Sequence, residues 1–424
     1  MLNRRNASLV CLLSLLLIAG ISMIAQAEEE IVFWTFLNPA DQSPRSQVQT
    51  QLIEEFERQN PGVKVNVQIV AWNEIAPRLI QAVNSGRGPD VVRIASDSWE
   101  QQIDADTLLP IDQFVDEAYK QDWLLPWEFG VNENGERVAI WIEHRVVSLY
   151  YREDLLAEVG ETVPTTWSDL GRIAGKLTEK GYVGFTVGLS QGGAGNGLME
   201  CYFKPVIWAA GGYLLDENGR AAFNGPAGHK AMQLLYDLVH TYKAIPQETL
   251  VWDVDGMFQG IQAGRVGMSL FATHRVATAR QSEAVGESIK VAPVPGFDGR
   301  PSPAHVTGWT LAIPNTCKDP ELGWKFIDHM TSTEAQILNA KVAGELPARK
   351  SAYDDPWFQE DPFGREMVEW KAYIDEYGRI PQFPAEYLYL HSVLVEAAQK
   401  IVQGNVPIEQ ALNEAAEKYN SRVR

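Results

Sequence analysis

The feature of this sequence that most restricts its fold is a regular alternation of strand and helix patterns over residues 31–94. Strand patterns cover 31–36, 63–69 and 90–94, and the middle one alternates apolar and polar side chains. Between them, Ser43 and Pro44 form an N-cap and a first helical position, and a second helical pattern runs over 72–83. This β-α-β-α-β order predicts a mainly parallel sheet covered by helices.

Further strand and helix patterns predict an α/β fold for the rest of the chain. The strand-like stretches are 137–151, 181–189 and 266–271, and the helical patterns are 167–178, 229–242, the segment from Asp319 onward, 393–404 and 412–419. A length of 424 residues suits two domains of ordinary size or one large α/β unit. Because ligands of such sheets bind at the carboxyl ends of strands, we expect binding residues in the loops after Phe36 and Ile94.

The N-terminus has the pattern of a secretory signal peptide. Arg4 and Arg5 precede an apolar stretch over 9–24, and the small residues Ala25 and Ala27 suit signal peptidase. A membrane anchor would need roughly 20 apolar residues, and a lipoprotein would need a cysteine directly after the apolar stretch. Cleavage after residue 27 therefore predicts a soluble periplasmic protein without a lipid anchor.

The chain is acidic, with 36 Lys and Arg side chains, 55 Asp and Glu side chains and a formal net charge of −19. A surface of this charge argues against nucleic acid or an anionic membrane as a partner. It does not determine the charge of a ligand, because a cleft can differ from the surface around it. Cys201 and Cys317 could pair in an oxidising compartment, but two unpaired thiols are favoured.

The sequence contains no recognisable catalytic or metal-binding motif. Its seven histidines are dispersed, and neither a His-x-x-x-His pair nor a Gly-x-Ser-x-Gly elbow occurs. The glycine-rich patch at 192–197 lacks the spacing of a phosphate-binding loop, which favours a flexible turn. We therefore expect neither an enzyme nor a cofactor or metal site. A secreted polysaccharide-degrading enzyme with a carboxylate pair stays a distant alternative.

Tryptophan is frequent, with thirteen in the chain, and four of them stand beside polar residues in predicted loops: Trp34, Trp99, Trp252 and Trp309. An indole ring stacks on the apolar face of a sugar while polar side chains bind its hydroxyls. This combination favours a carbohydrate ligand. Core packing is the alternative for each of the four rings.

Several short motifs follow one another in a characteristic order along the chain. They are IVFW at 31–34, FERQNPGVKV at 56–65, GRGPDVV at 86–92, LYYREDL at 149–155, PTTW at 164–167, WAAGG at 208–212, FQG to GM at 258–268, ELPAR at 345–349 and IEQAL at 408–412. Together they resemble the extracellular solute-binding proteins of ABC importers, in the group that includes the maltose-binding protein.

The resemblance implies a type II periplasmic-binding-protein fold, in which two α/β lobes close by hinge motion on a solute in the cleft between them. The lobes would be 28–143 with 308–332 and 147–304 with 336–424, joined by crossings at 144–147, 305–308 and 332–336. The implied partners are a small-molecule solute and the transmembrane subunits of an ABC permease. The protein is expected to be a monomer without a cofactor.

The resemblance also implies a set of ligand contacts, carried over position by position. They are Trp34, Asn38, Asp41, Ser96, Asp97, Trp99, Arg145, Glu200, Tyr202, Trp252, His274, Arg275, Trp309, Tyr389 and His391. His274 and His391 fall on sugar-stacking positions, so maltodextrins are not expected. Arg145, Arg275 and these two histidines leave room for an anionic group on the ligand.

The expected function is therefore that of a periplasmic binding protein of an ABC importer that captures a sugar. The sugar would be a mono- or oligosaccharide or a sugar derivative. The alternative on the same fold is a non-sugar solute, namely a glycerophosphodiester, a polyamine or a peptide.

Overall fold

The fold is taken from a computed structural model, which describes residues 29–190, 197–381, 384 and 386–423. The predicted signal peptide, residues 1–27, and residues 192–196 of the glycine-rich patch lie outside the described residues.

Six strands lie where the sequence patterns predict them, with differences in length, and the strands at 289–292, 304–312 and 378–379 were not predicted. The strands of the described residues are β1 (Glu29–Thr35), β2 (Val63–Ile69), β3 (Val91–Ala95), β4 (Ile140–Arg152), β5 (Val183–Thr186), β6 (Val266–Ala272), β7 (Ile289–Ala292), β8 (Ala304–Ala312) and β9 (Gly378–Arg379).

Helices cover both faces of the strands and form most of the C-terminal region. They are α1 (Pro44–Gln59), α2 (Ile75–Asn84), α3 (Trp99–Asp104), α4 (Glu117–Gln121), α5 (Glu153–Glu158), α6 (Trp167–Glu179), α7 (Lys204–Ala209), α8 (Pro226–His240), α9 (Val254–Gln262), α10 (Val276–Arg280), α11 (Pro320–Met330), α12 (Thr333–Leu338), α13 (Trp357–Glu360), α14 (Pro362–Tyr377), α15 (Tyr387–Val402) and α16 (Ile408–Asn420). The predicted N-cap is confirmed, since the Ser43 hydroxyl accepts a hydrogen bond from the backbone N–H of Ser46.

The strands form one mixed sheet in the order β2-β1-β3-β8-β4-β6-β5, with β7 paired to β4 and β9 to β8. Strand β1 runs parallel to β2 and β3, as predicted for residues 31–94. The middle of the sheet is antiparallel, because β8 and β4 pair antiparallel with each other and with β3 and β6. The expectation of a mainly parallel sheet is therefore correct only for β2-β1-β3 and for the parallel pair of β5 and β6, since β8 returns from a distant part of the chain to pair antiparallel with β3.

Strands β4 and β8 connect the two halves of the sheet. Residues 140–146 of β4 pair with β8, and residues 147–152 pair with β6 and β7. The crossings expected at 144–147 and 305–308 fall on these two strands, and the one expected at 332–336 falls at the beginning of α12.

Two hydrophobic cores support the two halves. In the first, Phe33 of β1 and Phe56 of α1 pack edge-on against Phe326 of α11. The second is built from α6, α8, α15 and α16. A π-helical segment, Asn339–Ala343, packs on α1, and Arg349 pairs with Asp122 at 3.1 Å. Residues 339–349 therefore contact elements of the first half, although the lobe boundary expected at 336 assigns them to the second lobe.

No disulfide joins Cys201 and Cys317. In the described part of the chain, no helix combines the length and the apolarity that crossing a bilayer requires.

Candidate functional site

A cavity of about 250 Å³ lies where the ends of β1, β3 and β6 meet the two crossing strands. We call it the strand-end cavity. Its lining comes from both halves of the chain and comprises Phe36, Arg45, Trp72, Ala95, Asp97, Arg145, Val147, Cys201, Val254, Asp255, Phe271, Ala272, His274, Arg275, Thr307, Gly308 and Trp309. This is the position at which open α/β sheets bind ligands.

A larger cavity of about 820 Å³ is lined mostly by apolar side chains, among them Leu124, Phe129, Trp208, Tyr213 and Ile374. None of the expected contact residues lines it. The strand-end cavity is the better candidate site, because it combines the strand ends with five of the expected polar and aromatic contacts.

Two short 3₁₀ helices, one from each half, turn polar side chains into the strand-end cavity. Ser96–Ser98 follows β3 and supplies Asp97, and Thr273–Arg275 follows β6 and supplies His274 and Arg275. The residues that lead into them, Ala95 and Ala272, have nearly the same extended backbone, with φ of −75° and −71°. Their methyl side chains leave space at the cavity wall.

Three arginines share two buried carboxylates beside the strand-end cavity, and we call these five residues the arginine cluster. Glu143 lies 3.7 Å from Arg45, 3.7 Å from Arg93 and 3.0 Å from Arg145. Glu345 pairs with Arg45 and, at 3.5 Å, with Arg145. The two carboxylates are 1% and 3% exposed, and only Arg45 and Arg145 of the five line the cavity.

Burial dominates the electrostatics of the arginine cluster. It lowers the pKa of Arg45 and lowers that of Arg93 to about 10, against the opposing effect of the carboxylates. It also raises the pKa of Glu143, with a further contribution from the charge of Glu345. The charges of this cluster are therefore held in a poorly solvated place, where each unbalanced charge is costly.

His274 and Arg275 bring further nitrogen donors to the same wall. Burial, and then the charges of Arg145, Arg275 and Arg45, lower the pKa of His274 well below its ordinary value, so its imidazole is neutral at physiological pH. Arg275 pairs with Asp255 at 2.7 Å and lies over the ring of Phe258 at 4.8 Å.

Asp97 adds a negatively charged side chain to the lining of the strand-end cavity. Burial raises its pKa, and the positive charge of Lys204 acts in the other direction. The Lys204 ammonium is fully buried and donates a hydrogen bond to the Tyr387 hydroxyl at 2.9 Å. Asp97 follows β3 and Lys204 begins α7, so this electrostatic attraction acts between the two halves of the chain.

Aromatic rings complete the lining. Trp309 packs on Phe36 with ring centroids 4.4 Å apart, and the Arg45 guanidinium lies over Phe36 at 5.2 Å. Trp72 is 44% exposed although it lines the cavity. An exposed indole at a cavity mouth is free to stack on a ligand.

Of the expected contacts, Asp97, Arg145, His274, Arg275 and Trp309 line the strand-end cavity. Ser96 lies just behind it, with its hydroxyl 3.3 Å from that of the lining residue Thr307. The side chain of Glu200 lies outside the described structure.

Two expected contacts are buried side chains that hydrogen-bond within the protein. Trp99 is 4% exposed and donates its indole N–H to the Thr310 hydroxyl at 3.0 Å. Tyr202 is fully buried and donates its hydroxyl to the backbone carbonyl of Ala231 at 3.2 Å. Neither side chain lines the cavity, because packing against neighbouring elements occupies both.

Three expected contacts lie near the first strands but outside the cavity. Trp34 donates its indole N–H to the Gln68 side chain at 2.9 Å, on the partly exposed side of β1 and β2. Asn38 and Asp41 form an exposed turn closed by a 2.9 Å backbone hydrogen bond.

The remaining three lie in the second half. The Trp252 ring packs against Gly260 and Arg265, and Tyr389 lies under the Arg422 guanidinium at 3.7 Å. His391 is 4% exposed, and burial together with the charge of Lys204 lowers its pKa to about 4. None of the three lines the strand-end cavity.

The sequence interpretation missed several residues of the site. Trp72 comes three residues after β2, so the strand-end argument that predicted the loops after Phe36 and Ile94 could have found it. Glu143 and Glu345 gave no such signal, because 202 positions separate them and only the tertiary structure brings both to Arg145. In the described residues no group of three or more His, Cys, Asp or Glu side chains is arranged to hold a metal ion.

Residues 42–337 match the family model of bacterial extracellular solute-binding proteins. The chain belongs to this family. An uncharacterized ABC transporter extracellular-binding protein of Pyrococcus horikoshii is 23% identical to the solute-binding protein over 331 residues, which cover 75% of this chain and 71% of the relative.

Solved structures of similar proteins share the fold. Maltose-bound MalE3 of T. maritima is 24% identical, with a TM-score of 0.78 and coverage of 92% of this chain and 99% of that one. A solute-binding protein of Thermotoga lettingae bound with α-D-tagatose is 21% identical, with a TM-score of 0.77 and coverage of 93% and 100%. The solute-binding protein therefore has the two-lobe type II fold. Its family is that of extracellular solute-binding proteins, and relatives include ABC transporter binding proteins described as periplasmic or extracellular.

Proposed function

We propose that the solute-binding protein captures a sugar in the strand-end cavity by lobe closure and delivers it to the transmembrane subunits of an ABC permease. The observation that carries this proposal is the combination, in one cavity, of aromatic rings with charged hydrogen-bonding groups. Trp72 and Trp309 offer faces for the C–H side of a sugar ring. Asp97 and Arg145 offer an acceptor and donors for its hydroxyls.

The ligand is small. A volume of about 250 Å³ lies below the roughly 300–1,000 Å³ of pockets for drug-sized ligands. The cavity therefore suits one or two sugar units rather than a long oligosaccharide. The proteins solved with maltose and with α-D-tagatose are bound to ligands of this size class.

The other expectations complete this proposal. The protein is a monomeric receptor that performs no catalysis and binds no nucleic acid. It is released into the periplasm by cleavage after residue 27, without a lipid anchor. Its lobes meet along β4 and β8, with Asn339–Ala343 packed on the first lobe.

A thermal-shift screen tests the ligand class. A ligand at a hundredfold excess over its Kd stabilises the folded protein by about 2.7 kcal/mol, which raises Tm measurably. We expect a mono- or disaccharide to do so. A shift produced by a polyamine, a peptide or a glycerophosphodiester, with none produced by any sugar, would replace the sugar assignment.

Two aromatic variants test the position of the site. Trp72→Ala removes an exposed ring of the strand-end cavity, and Tyr213→Ala removes a 60% exposed ring of the larger cavity. We expect Trp72→Ala to weaken sugar binding about tenfold, since ring stacking contributes on the order of 1 kcal/mol. Tyr213→Ala should bind with unchanged affinity, and the reverse result would place the site in the larger cavity.

A further inference from the structure

The arginine cluster carries one more positive charge than negative charge. Three guanidinium groups, those of Arg45, Arg93 and Arg145, share the carboxylates of Glu143 and Glu345. Protonation of Glu143 would increase the excess further. A buried charge without a counter-charge costs several kcal/mol, so the apo protein keeps this cluster at an energetic cost.

Donor groups at the cavity wall also lack partners. Besides the acceptor oxygens Oε1 and Oε2 of Glu143 and Oε2 of Glu345, three buried nitrogens have no hydrogen-bond partner among the described residues, namely Arg45 Nη2, Arg145 Nε and His274 Nδ1. The two arginine nitrogens are donors, and His274 Nδ1 is a donor or an acceptor according to the tautomer of the neutral ring. All three side chains line the strand-end cavity. Buried polar groups are nearly always hydrogen-bonded in folded proteins, so donors that stay unsatisfied at a cavity wall indicate a ligand with acceptor oxygens.

Arg275 adds to the positive charge of this wall. Its ion-pair partner, Asp255, is 60% exposed, and a pair with so exposed a carboxylate contributes little. Arg45, Arg145 and Arg275 lie close enough together that all three charges act on His274. Their guanidinium groups have the planar fork geometry that binds carboxylate and phosphate oxygens in pairs.

We propose that the sugar captured by this protein carries an anionic group, a carboxylate or a phosphate, which binds among Arg45, Arg145 and Arg275. This inference rests on the proposed function and names the substrate class of the same site. The anion supplies the missing negative charge of the arginine cluster and accepts hydrogen bonds from its unsatisfied donors. Trp72 and Trp309 then contact the sugar ring.

Matched sugar sets test the anionic group by isothermal titration calorimetry. Each set contains a neutral sugar, its uronate and its 6-phosphate: glucose, glucuronate and glucose 6-phosphate, and the same three forms of galactose. We expect at least one acidic sugar to bind about ten to a hundred times more tightly than its neutral form, the range expected for charge-assisted hydrogen bonds. The uronate and phosphate arms distinguish the two sources of the anion.

The outcomes separate this inference from the proposed function. If a neutral sugar binds and neither of its acidic forms binds more tightly, the anionic group is wrong and the sugar receptor stands. If no sugar of either kind binds in these titrations or in the thermal-shift screen, both proposals are wrong.

Arginine variants test the position of the anion. Arg145→Gln and Arg275→Gln should each reduce affinity for the acidic sugar about tenfold or more, and should reduce affinity for the neutral form by a clearly smaller factor. Arg280→Gln is the matched control, since Arg280 is as buried as Arg145, at 11% exposure, but pairs with Glu366 outside the cavity. Equal affinity of wild type, Arg145→Gln and Arg275→Gln for the acidic sugar would overturn the proposal.

Discussion

At the scale of single residues, charge balance in the arginine cluster separates two substitutions that look alike. Glu143→Gln leaves three arginines with one carboxylate, and removal of one partner of a buried ion pair typically costs about 3–5 kcal/mol. Arg145→Gln leaves two arginines with two carboxylates, Glu143 and Glu345. We expect Arg145→Gln to cost less than half as much as Glu143→Gln.

Thermal denaturation of the two variants without ligand checks this expectation. Glu143→Gln should lower Tm by several degrees more than Arg145→Gln. An equal or larger loss for Arg145→Gln would show that the cluster has no excess positive charge.

His391 makes stability depend on pH. Its pKa is about 4 in the folded protein, whereas the ordinary value is 6.5, so the unfolded chain binds the proton first as pH falls. The free energy of unfolding therefore decreases between pH 6.5 and pH 4, by up to about 3 kcal/mol from this group. His391→Gln should flatten the pH profile of Tm in that range, and a profile parallel to that of the wild type would contradict the assignment.

Residue types alone could not separate contacts from core. Trp99 and Trp309 both stand beside polar residues, yet Trp99 is held in the core by a hydrogen bond to Thr310, and Trp309, within β8, reaches the cavity. Asp97 and His274 were predictable, because each lies within two residues of a strand end. Tyr202 was not, because the contacts that bury it come from α6 and α8.

At the scale of elements, periodicity and caps predicted β1 to β6 and seven of the helices in the described residues, and missed the long helix α14 and the central strand β8. The predicted strand over 181–189 is too long, since β5 covers only Val183–Thr186. Its continuation is an apolar, glycine-containing segment that hydrogen-bonds to the region around Trp252 instead of to a strand. A run of apolar residues predicts that the segment is buried. Whether it forms a strand depends on the partners of its backbone hydrogen bonds.

Two glycines test how closely the elements pack. A Cβ on Gly184 of β5 would lie 1.9 Å from the carbonyl oxygen of Ala174 in α6, whereas a Cβ on Gly323 in α11 would meet its nearest atom at 3.5 Å. We expect Gly184→Ala to lower the free energy of unfolding by about 1–3 kcal/mol through overpacking. Gly323→Ala should raise it by roughly 0.5–1 kcal/mol, because alanine favours a helix interior.

Denaturant titration of both variants provides the comparison, and each serves as the control of the other. Destabilisation by both substitutions would mean that α11 also has no space for a methyl group at position 323. Stability gained from both would contradict the close contact of β5 with α6.

At the scale of the whole molecule, the site is formed by both halves together. Asp97 comes from one half and His274 from the other, and β4 and β8 join them. A ligand that contacts both walls binds the closed arrangement of the lobes more tightly than the open one. This difference in affinity shifts the equilibrium towards the closed arrangement. We therefore expect saturating ligand to reduce the radius of gyration in small-angle X-ray scattering.

The closure experiment has its control in a variant with a weakened site. Trp72→Ala should need about tenfold more ligand for the same compaction. A radius of gyration that stays constant at saturating ligand would mean that the protein binds without lobe closure.

The sequence by itself determined the α/β class, the strands and helices of residues 31–94, the family and the loops after β1 and β3 that line the cavity. These are local or collinear signals, since periodicity, caps and motifs act over a few residues. Only the tertiary structure decided the mixed sheet, the burial of Trp99 and Tyr202, and the meeting of Glu143 with Glu345 beside Arg145. These depend on contacts between segments that are distant in the chain, and no short pattern specifies such contacts.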